Sequence, residues 1–379
     1  MHPELSSFAA RLRGLISHEP STFNEPQFAD LALELFALQF AHNPSYRKIC
    51  EARRLTPDTV QEWRQIPAVP TAGFKELDLT CLAPDERPVV FHSSGTTEQK
   101  PSRHFHCVES LAVYESSLWT WFEPNVLSAS RLTPHVSHCL FLTPPPASVP
   151  HSSLVHMFDI VRQRTGQPAS AFTGHLAADG SWTLDFAATL SAFESAVAAG
   201  QPLVLLGTAF SFVHLVDYLA ARGLRFALPA GSRVMETGGY KNRSRILPKP
   251  ELHALISAHL GLPRDAILCE YGMSELSSQA YDSVAGNTPP GAGEDVPPAS
   301  RAVRHFHFPP WVRVQIIAPE TGLEAAEGEL GLIRLLDLAN VFSVAALQTE
   351  DLGICRGAGF ELVGRAQQAE PRGCSLMMG

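Results

Sequence analysis

The strongest constraint on the fold is a regular alternation of short apolar runs with helical segments between about residues 138 and 272. Runs such as "HCLFLT", "PLVLLG" and "AILCEYG" stand next to segments with the apolar period of a helix, such as "AFSFVHLVDYLAARG". Parallel strands need a long crossover connection, which is usually a helix. The alternation therefore predicts an α/β fold with a largely parallel sheet.

The segments on either side of this region have different patterns. Residues 1–65 are predicted to be helical, because the apolar residues of "PQFADLALELFALQFAHN" cover one broad helical face. Near the other end, "VRVQIIAP", "GELGLIRLLDL" and "FELVGR" indicate strands. We predict a helical N-terminal segment (1–65) packed on a core (66–365), followed by a tail (366–379).

Composition excludes several classes of protein. A net charge of -9 and the absence of a basic tract argue against nucleic acid as a partner. The sequence has no signal peptide pattern and no run of about 18 apolar residues, so we expect a cytoplasmic protein without a membrane span. The seven cysteines are scattered and form no CxxC pair, which favours reduced thiols over disulfides or a zinc site.

A loop rich in hydroxyl groups follows the short apolar run "VVF". The stretch "HSSGTTEQKPSR" combines serines and threonines with one glycine and a lysine. Hydroxyl groups donate to phosphate oxygens, and glycine lets backbone N–H groups approach an anion closely. The loop does not have the Walker A pattern. Taken alone, it is explained equally well as a phosphate-binding loop or as a polar turn.

Five short segments favour the interpretation as a phosphate-binding loop because of the order in which they occur along the chain. These segments are "SSGTT", "ETGGY", "EYGMSE", "TEDLG" and "VGR". Together they resemble the ordered motifs of the adenylate-forming superfamily of acyl-CoA synthetases and firefly luciferase. More narrowly, "IPAVPTAGFKE", the hydroxyl-rich loop, "FPPW" and "RGCSL" resemble the LuxE-like acyl-protein synthetases over about residues 60–379. The resemblance implies the large-domain fold of that superfamily, with mixed or parallel sheets flanked by helices.

The resemblance also implies ATP and Mg²⁺ as cofactors and assigns a role to each motif residue. The ATP-binding residues would be Ser93, Ser94, Gly95, Thr96 and Thr97 at the β- and γ-phosphates, Lys100 as a candidate charge partner, Gly238 and Gly239 beside the adenine, Tyr271 against its face, and Asp351 at the ribose hydroxyls. The catalytic residues would be Ser274 at the α-phosphate, Glu275 as the Mg²⁺ ligand, Arg365 at the ribose or phosphate side, and Cys374.

Two departures from the superfamily pattern affect this interpretation. The loop has Glu98 where the superfamily commonly has glycine and "KP" where it has "PK", which leaves the role of Lys100 open. The superfamily normally continues beyond its "GR" motif into a small lobe that carries a catalytic lysine. Fourteen residues (366–379) follow Arg365 here, so we expect this lobe to be absent.

Cys374 is the candidate acceptor of the activated acyl group. A stretch of nine residues from Arg365 to Cys374 spans at most roughly 30 Å, and Arg372 nearby favours the thiolate. The resemblance implies that the acyl group moves to this thiol and then to a partner, either an acyl reductase or a carrier protein.

Three alternatives remain open at this stage. The acid is expected to be a fatty acid, with an aryl acid as the alternative. The acyl group could instead pass directly to coenzyme A or a carrier protein, as in an acyl- or aryl-CoA ligase. The chain could also be a nucleotide-binding scaffold without catalytic activity.

Overall fold

The computed structural model describes residues 2–93, 100–127, 138–238, 245, 247–284 and 304–366. Within these ranges the helices are α1 (Pro3–His18), α2 (Glu25–His42), α3 (Pro44–Ala52), α4 (Gly73–Glu76), α5 (Val108–Phe122), α6 (Ser153–Thr165), α7 (Phe186–Ala199), α8 (Ala209–Ala221) and α9 (Lys249–Leu260). The strands are β1 (Val69–Pro70), β2 (Val89–His92), β3 (Arg103–His106), β4 (His138–Phe141), β5 (Ala171–Phe172), β6 (Gly174–Leu176), β7 (Trp182–Leu184), β8 (Leu203–Thr208), β9 (Arg233–Thr237), β10 (Ile267–Tyr271), β11 (Ala280–Val284), β12 (Arg304–His307), β13 (Val312–Ile317), β14 (Leu330–Asp337), β15 (Ala346–Arg356) and β16 (Gly359–Arg365).

A mixed sheet of 12 strands organises the described part of the chain. Strands β5, β4, β8, β9 and β10 lie side by side and are parallel. The sheet continues from β10 through β11, β12, β16, β15 and β14 to β13, and these neighbours are antiparallel. The predicted α/β fold is therefore confirmed, and the strands predicted near the end of the chain extend the same sheet.

Helices cover both faces of the parallel strands. Val234 on β9 and Ile267 on β10 pack in one apolar cluster with side chains of α8 and α9. Met235 and Leu268, one residue further along each strand, belong to a second cluster with side chains of α5 and α6. Because successive residues of a strand face opposite sides, burial on both faces requires the continuous apolar runs seen in the sequence.

The helical N-terminal segment contacts the sheet region through buried polar groups as well as apolar ones. The Gln39 amide of α2 donates to the backbone oxygens of Asn340 and Val341 at 2.8 and 3.2 Å, and it accepts from the N–H of Ala345 at 3.0 Å. Tyr46 of α3 donates to the backbone oxygen of Pro67 at 2.8 Å. The Gln39 bonds fix α2 against the loop between β14 and β15, and the Tyr46 bond ties α3 to the segment before β1.

None of the described helices combines the length and the apolar character that crossing a bilayer requires.

Replacing Gln39 by leucine should destabilise the protein, because three buried backbone groups would lose their hydrogen-bond partners. We expect the free energy of unfolding to fall by roughly 2–4 kcal/mol. Asp30→Ala, at an exposed position of the same helix, is the matched control and should change it by less than about 0.5 kcal/mol. Urea unfolding followed by circular dichroism measures both values. Equal midpoints for the two variants would contradict this account.

Candidate active site

The candidate site lies at the edge of the sheet where β9 and β10 end. These strands are parallel neighbours, and Thr237 is paired with Glu270 near their carboxyl ends. Gly238 follows β9 with a φ of +73°, a backbone conformation that favours glycine. The segment from Gly272 to Glu275 follows β10. Ligands of open α/β sheets bind in the crevice outside the carboxyl ends of the strands.

A chain of hydrogen bonds joins the base of the hydroxyl-rich loop to the segment that follows β10. The backbone N–H of Ser93 donates to Ser102 Oγ at 3.2 Å, and the N–H of Ser102 donates to Ser93 Oγ at 3.0 Å. Ser102 Oγ lies 3.3 Å from Ser274 Oγ, which donates to Glu275 Oε2 at 3.0 Å. The predicted residues Ser93, Ser274 and Glu275 are therefore in one connected network.

His104 makes a second connection to this segment from β3. Its Nδ1 lies 2.8 Å from the backbone oxygen of Ser274, which can accept but not donate, so Nδ1 carries the proton. Burial lowers the pKa of His104 to about 4, although the bond to Ser274 acts to raise it. The imidazole is therefore neutral at pH 7, and it positions Ser274 without adding charge to the site.

Polar side chains at the end of β14 and just after it hold the same segment in place. Ser277 N and Ser278 Oγ donate to the Asp337 carboxyl group at 3.0 and 2.8 Å, and Asn340 Nδ2 donates to the backbone oxygen of Glu275 at 2.9 Å. Burial raises the pKa of Asp337 to about 6, although the bonds that it accepts act to lower it. Residues 275–278 are thus held by buried hydrogen bonds, which fixes the position of Glu275.

Three further predicted residues contact one another on β10, β15 and β16. The Tyr271 hydroxyl donates to Asp351 Oδ2 at 2.9 Å, and Arg365 Nε lies 3.2 Å from Asp351 Oδ1. The Tyr271 ring is buried near Phe306 and Phe360 at centroid distances of 6.0 and 5.6 Å. Burial raises the pKa of Tyr271 well above its usual value, and the Asp351 carboxylate acts in the same direction. Asp351 therefore lies beside the end of β10.

A buried charged network lies on the α9 side of β9 and β10. Glu236 is fully buried, and one of its oxygens lies 3.4 Å from Lys249 Nζ and 3.3 Å from His253 Nε2. Lys249 Nζ also contacts the Cys269 thiol. Burial acts to raise the pKa of Glu236, but Lys249 and His253 lower it below its usual value. Lys249 thus compensates the buried charge of Glu236, which immediately precedes Thr237 and Gly238 in the chain.

Glu270 lies on the opposite face, toward α5 and α6. Its carboxyl group accepts a hydrogen bond from Thr237 Oγ1, and burial raises its pKa to about 7, although that bond and Lys249 act to lower it. A side chain on Gly272 would collide with this carboxyl group, since a Cβ there would be 2.3 Å from Glu270 Oε1. Glu270 thus reaches from β10 to the start of the segment that carries Ser274 and Glu275.

The remaining predicted residues are Lys100, which is paired at the surface, and a group that lies outside the described part of the chain. Lys100 lies 3.8 Å from Glu76 in an exposed ion pair, an arrangement that adds little to stability. Several predicted residues lie outside the described part of the chain, so their predicted roles stay predictions: Ser94, Gly95, Thr96, Thr97, Gly239 and Cys374.

Sequence reasoning missed Ser102, His104, Glu270 and Asp337. Ser102 lies within the quoted loop, His104 follows that loop directly, and Glu270 opens the motif "EYGMSE", so position in or beside a motif was the available signal. Among the described residues no group of three or more histidine, cysteine or acidic side chains is arranged to hold a metal ion.

The chain is similar to known proteins in sequence and in structure. The sequence model of the family described as "Acyl-protein synthetase, LuxE" matches residues 167–379. A long-chain-fatty-acid–luciferin-component ligase of Vibrio harveyi is 23% identical over 358 residues, which cover 90% of this chain and 85% of that protein. The enzyme of the same name from Aliivibrio fischeri is 21% identical over 365 residues, covering 92% and 86%.

Solved structures support the fold. An open conformation of 2-hydroxyisobutyryl-CoA ligase in complex with 2-HIB-AMP and CoA has a TM-score of 0.63 at 12% identity, covering 93% of this chain and 77% of that one. The same ligase in its thioesterification state has a TM-score of 0.63 at 13% identity, covering 93% and 70%. The fold predicted for the large domain is therefore confirmed, since this chain shares it with that ligase over 93% of its length.

The raised pKa of Glu270 predicts a pH-dependent stability. Between the usual 4.5 and about 7 the folded state holds a proton that the unfolded state has released, so stability should fall as pH rises through this window. The loss should total about 3 kcal/mol. Glu270→Gln should lose this contribution, so its profile should differ from that of wild type by this slope, whereas the contributions of Asp337 and His104, which have opposite signs, remain in both proteins. Guanidinium unfolding at several pH values provides the measurement, and parallel profiles for both proteins between pH 6 and 7 would refute the assignment.

Proposed function

The chain belongs to the acyl-protein synthetase (LuxE) family, and on this premise we propose that it activates a carboxylic acid with ATP and transfers the acyl group to its own Cys374. The observation that carries the proposal is the hydrogen-bonded network of Ser93, Ser102, Ser274 and Glu275 at the edge of the sheet. The relatives from Vibrio harveyi and Aliivibrio fischeri are named for a long-chain fatty acid, which supports a fatty acid as the substrate.

In the first step the substrate carboxylate attacks the α-phosphorus of ATP. The bond from this phosphorus to the bridging oxygen breaks, pyrophosphate leaves, and an acyl-adenylate remains. Ser93 begins the loop that would hold the β- and γ-phosphates together with Ser94, Gly95, Thr96 and Thr97. The Ser102–Ser274 contact keeps this loop beside the residue proposed to bind the α-phosphate. Ser93, Ser102 and Ser274 are thus held in one network before charge develops on the leaving group, and preorganised polar groups of this kind stabilise transition states.

Mg²⁺ fits the donor chemistry at Glu275. This side chain is 6% exposed and ends in a carboxylate, the hard oxygen donor that Mg²⁺ prefers. When bound, the ion would neutralise negative charge on the pyrophosphate. The contribution of the protein is to fix the carboxylate, through the bond from Ser274 and the bond from Asn340 to the Glu275 backbone.

Asp351 and Arg365 are proposed to hold the nucleoside. Asp351 is 15% exposed in its side chain and bonded to Tyr271, so its position is fixed, whereas Arg365 is 78% exposed. A fixed carboxylate can accept hydrogen bonds from both ribose hydroxyls. Gly238 and Gly239 would let the adenine approach the backbone after β9.

In the second step the Cys374 thiolate attacks the carbonyl carbon of the acyl-adenylate. A thioester forms, AMP leaves, and the thiol proton is released. The described cysteines are poor rivals for this role. Burial raises the pKa of Cys50 to about 11 and that of Cys139 to about 12, and Cys81, Cys107 and Cys269 are also buried. Cys355 is the half-buried one of the described set. An acyl reductase or carrier protein would then take the acyl group from Cys374.

Replacing Asp351 by asparagine should weaken ATP binding more than acid binding. The amide retains one acceptor oxygen, so one charged hydrogen bond to the ribose is lost, and we expect the KM for ATP to rise about tenfold or more. Glu350→Gln, at the exposed neighbouring position of β15, is the control and should leave that KM unchanged. Acid-dependent exchange between pyrophosphate and ATP, measured over an ATP titration, gives both constants. A KM for ATP that does not differ between the variants would remove Asp351 from the proposed nucleotide site.

Cys374→Ala should abolish covalent labelling of the protein while leaving adenylation intact. With ATP, Mg²⁺ and a radiolabelled long-chain acid, we expect wild type to acquire a hydroxylamine-sensitive label and the variant to retain pyrophosphate exchange without it. Cys355→Ala is the matched control and should label like wild type, because it removes the half-buried thiol of β15.

Three other results would favour the alternatives. Formation of acyl-CoA without label on the protein would favour a CoA ligase. Exchange confined to aryl acids would change the substrate class. No exchange with any acid of a broad panel would leave a nucleotide-binding scaffold.

A further inference from the structure

The hydroxyl group of Ser102 connects the base of the hydroxyl-rich loop with the segment that carries Glu275. Ser102 is fully buried, and each of its polar atoms has a partner. Its N–H donates to Ser93 Oγ at 3.0 Å, its Oγ accepts from the N–H of Ser93 at 3.2 Å, and its backbone oxygen accepts from His92 Nδ1 at 3.1 Å. The Oγ atom also lies 3.3 Å from Ser274 Oγ. The side chain therefore lies between two parts of the proposed site.

The direction of these hydrogen bonds follows from the number of hydrogens available. A hydroxyl group has one hydrogen to donate. Ser274 Oγ donates its hydrogen to Glu275 Oε2 at 3.0 Å, so at the contact with Ser102 it can only accept. Ser102 is therefore the donor at this contact, and its oxygen accepts from the N–H of Ser93. The bonds run in one direction, from Ser93 through the two hydroxyl groups to the carboxyl group of Glu275.

This direction limits what Ser274 can do for a phosphate group. Its one hydrogen is bonded to Glu275, so the hydrogen must turn away from that carboxyl group before it can reach a phosphate oxygen. Rotation about the Cβ–Oγ bond moves the hydrogen and leaves the oxygen in place. A donor to this oxygen holds it during the rotation, and a hydroxyl that accepts a hydrogen bond is itself a stronger donor. The contact of 3.3 Å is long for two hydroxyl groups, as catalytic hydrogen bonds often are before the ligand binds.

Resting on the function proposed above, we propose that Ser102 is a positioning residue of the adenylation step and acts through Ser274. By donating to Ser274 Oγ, it holds this oxygen in place and directs the hydrogen of Ser274 away from itself, first to Glu275 and then to the α-phosphate. A donor that is aimed at the reacting phosphate contributes most in the transition state. The contribution of Ser102 should therefore appear in kcat more than in KM.

This role is separate from holding the loop. In Ser102→Ala the backbone N–H that donates to Ser93 Oγ and the backbone oxygen that accepts from His92 are both retained. The pairing of β2 with β3 and the bond from His104 to the backbone oxygen of Ser274 also do not involve the Ser102 side chain. The variant thus removes the directed chain of hydrogen bonds, while the base of the loop keeps its backbone contacts.

A double-mutant cycle on the full chain tests the proposal, with acid-dependent exchange between pyrophosphate and ATP as the measurement. For Ser102→Ala we expect kcat to fall about fivefold to tenfold, with the KM for ATP changed less than about twofold. Ser274→Ala should lower kcat about a hundredfold. Because Ser102 acts through Ser274, combining the two substitutions should cost less than about twofold beyond Ser274→Ala alone. Ser102→Cys keeps the shape with a weaker donor, so its kcat should lie between those of wild type and Ser102→Ala, and it replaces the alanine variant if that one does not fold.

Ser343→Ala is the matched control. Ser343 is also buried, and its Oγ donates to the backbone oxygen of Leu79 at 2.8 Å, so this variant loses one buried hydrogen bond outside the proposed site and should leave kcat unchanged. Losses that add in the double variant would make Ser102 a structural residue and overturn the proposal, as would a wild-type kcat in Ser102→Ala, while adenylation stands in both cases. If wild type shows no exchange with any acid, the proposed function fails and this proposal fails with it.

Discussion

The contact between the hydroxyl groups of Ser102 and Ser274 joins two parts of the chain that are 172 residues apart, and the candidate site depends on it. Strands β2 and β3 form a separate two-stranded sheet, so the ladder of the large sheet does not fix their position. Ser274 supplies that constraint by meeting Ser102 with its side chain and His104 with its backbone oxygen. Both contacts are buried, where hydrogen bonds are electrostatically stronger than in water. The hydroxyl-rich loop therefore begins and ends beside the segment that carries Glu275.

The alternation of side chains along β9 and β10 separates two electrostatic environments. Glu236 and Cys269 face α9, where Lys249 compensates the buried charge. Thr237 and Glu270 face the opposite side, where burial among aromatic rings favours a neutral carboxyl group. A slip of one residue in the pairing would exchange these environments and bury an uncompensated charge, which costs several kcal/mol. The register of these strands is therefore fixed by charge as well as by apolar packing.

Much of the fold could be predicted because strands and helices of a layered α/β region carry their own periodicity. The segment "SLVHMFDIVRQ" became α6, and "PLVLLG", "RVMETGG" and "AILCEYG" became β8, β9 and β10 within two residues at each end. The long strand β15 was not predicted as a strand. Its sequence "ALQTEDLGICR" has no clear alternation, and its ladders with β14 and β16 hold it in the sheet. Strand β1 has two residues and exists through its pairing with β15, which no local pattern signals.

The site was predictable in its segments but not in its contacts. Motif order assigned Ser93, Ser274, Glu275, Tyr271 and Asp351 to one proposed active site. The structure brings these residues together in two hydrogen-bonded groups. The serine network depends on packing between distant segments, so the sequence contained no local sign of it. Similarly, periodicity indicates which residues are buried but not which buried atoms lack partners, as at His106 and Tyr281.

The position of Arg365 limits what the tail has to do in the proposed transfer. Arg365 contacts Asp351, and Asp351 contacts the last residue of β10, so the strand that leads to the tail ends at the edge where the acyl-adenylate would form. The N–H of Ala366 still bonds to the backbone oxygen of Glu350 at 2.9 Å, which fixes the chain to that point. From there Cys374 is nine residues past Arg365, a reach of at most roughly 30 Å. A tether this short closes a loop at small entropic cost and gives the thiol a high effective concentration at the site. In the proposed transfer, a protein that accepts the acyl group from Cys374 would have to approach the same edge of the sheet.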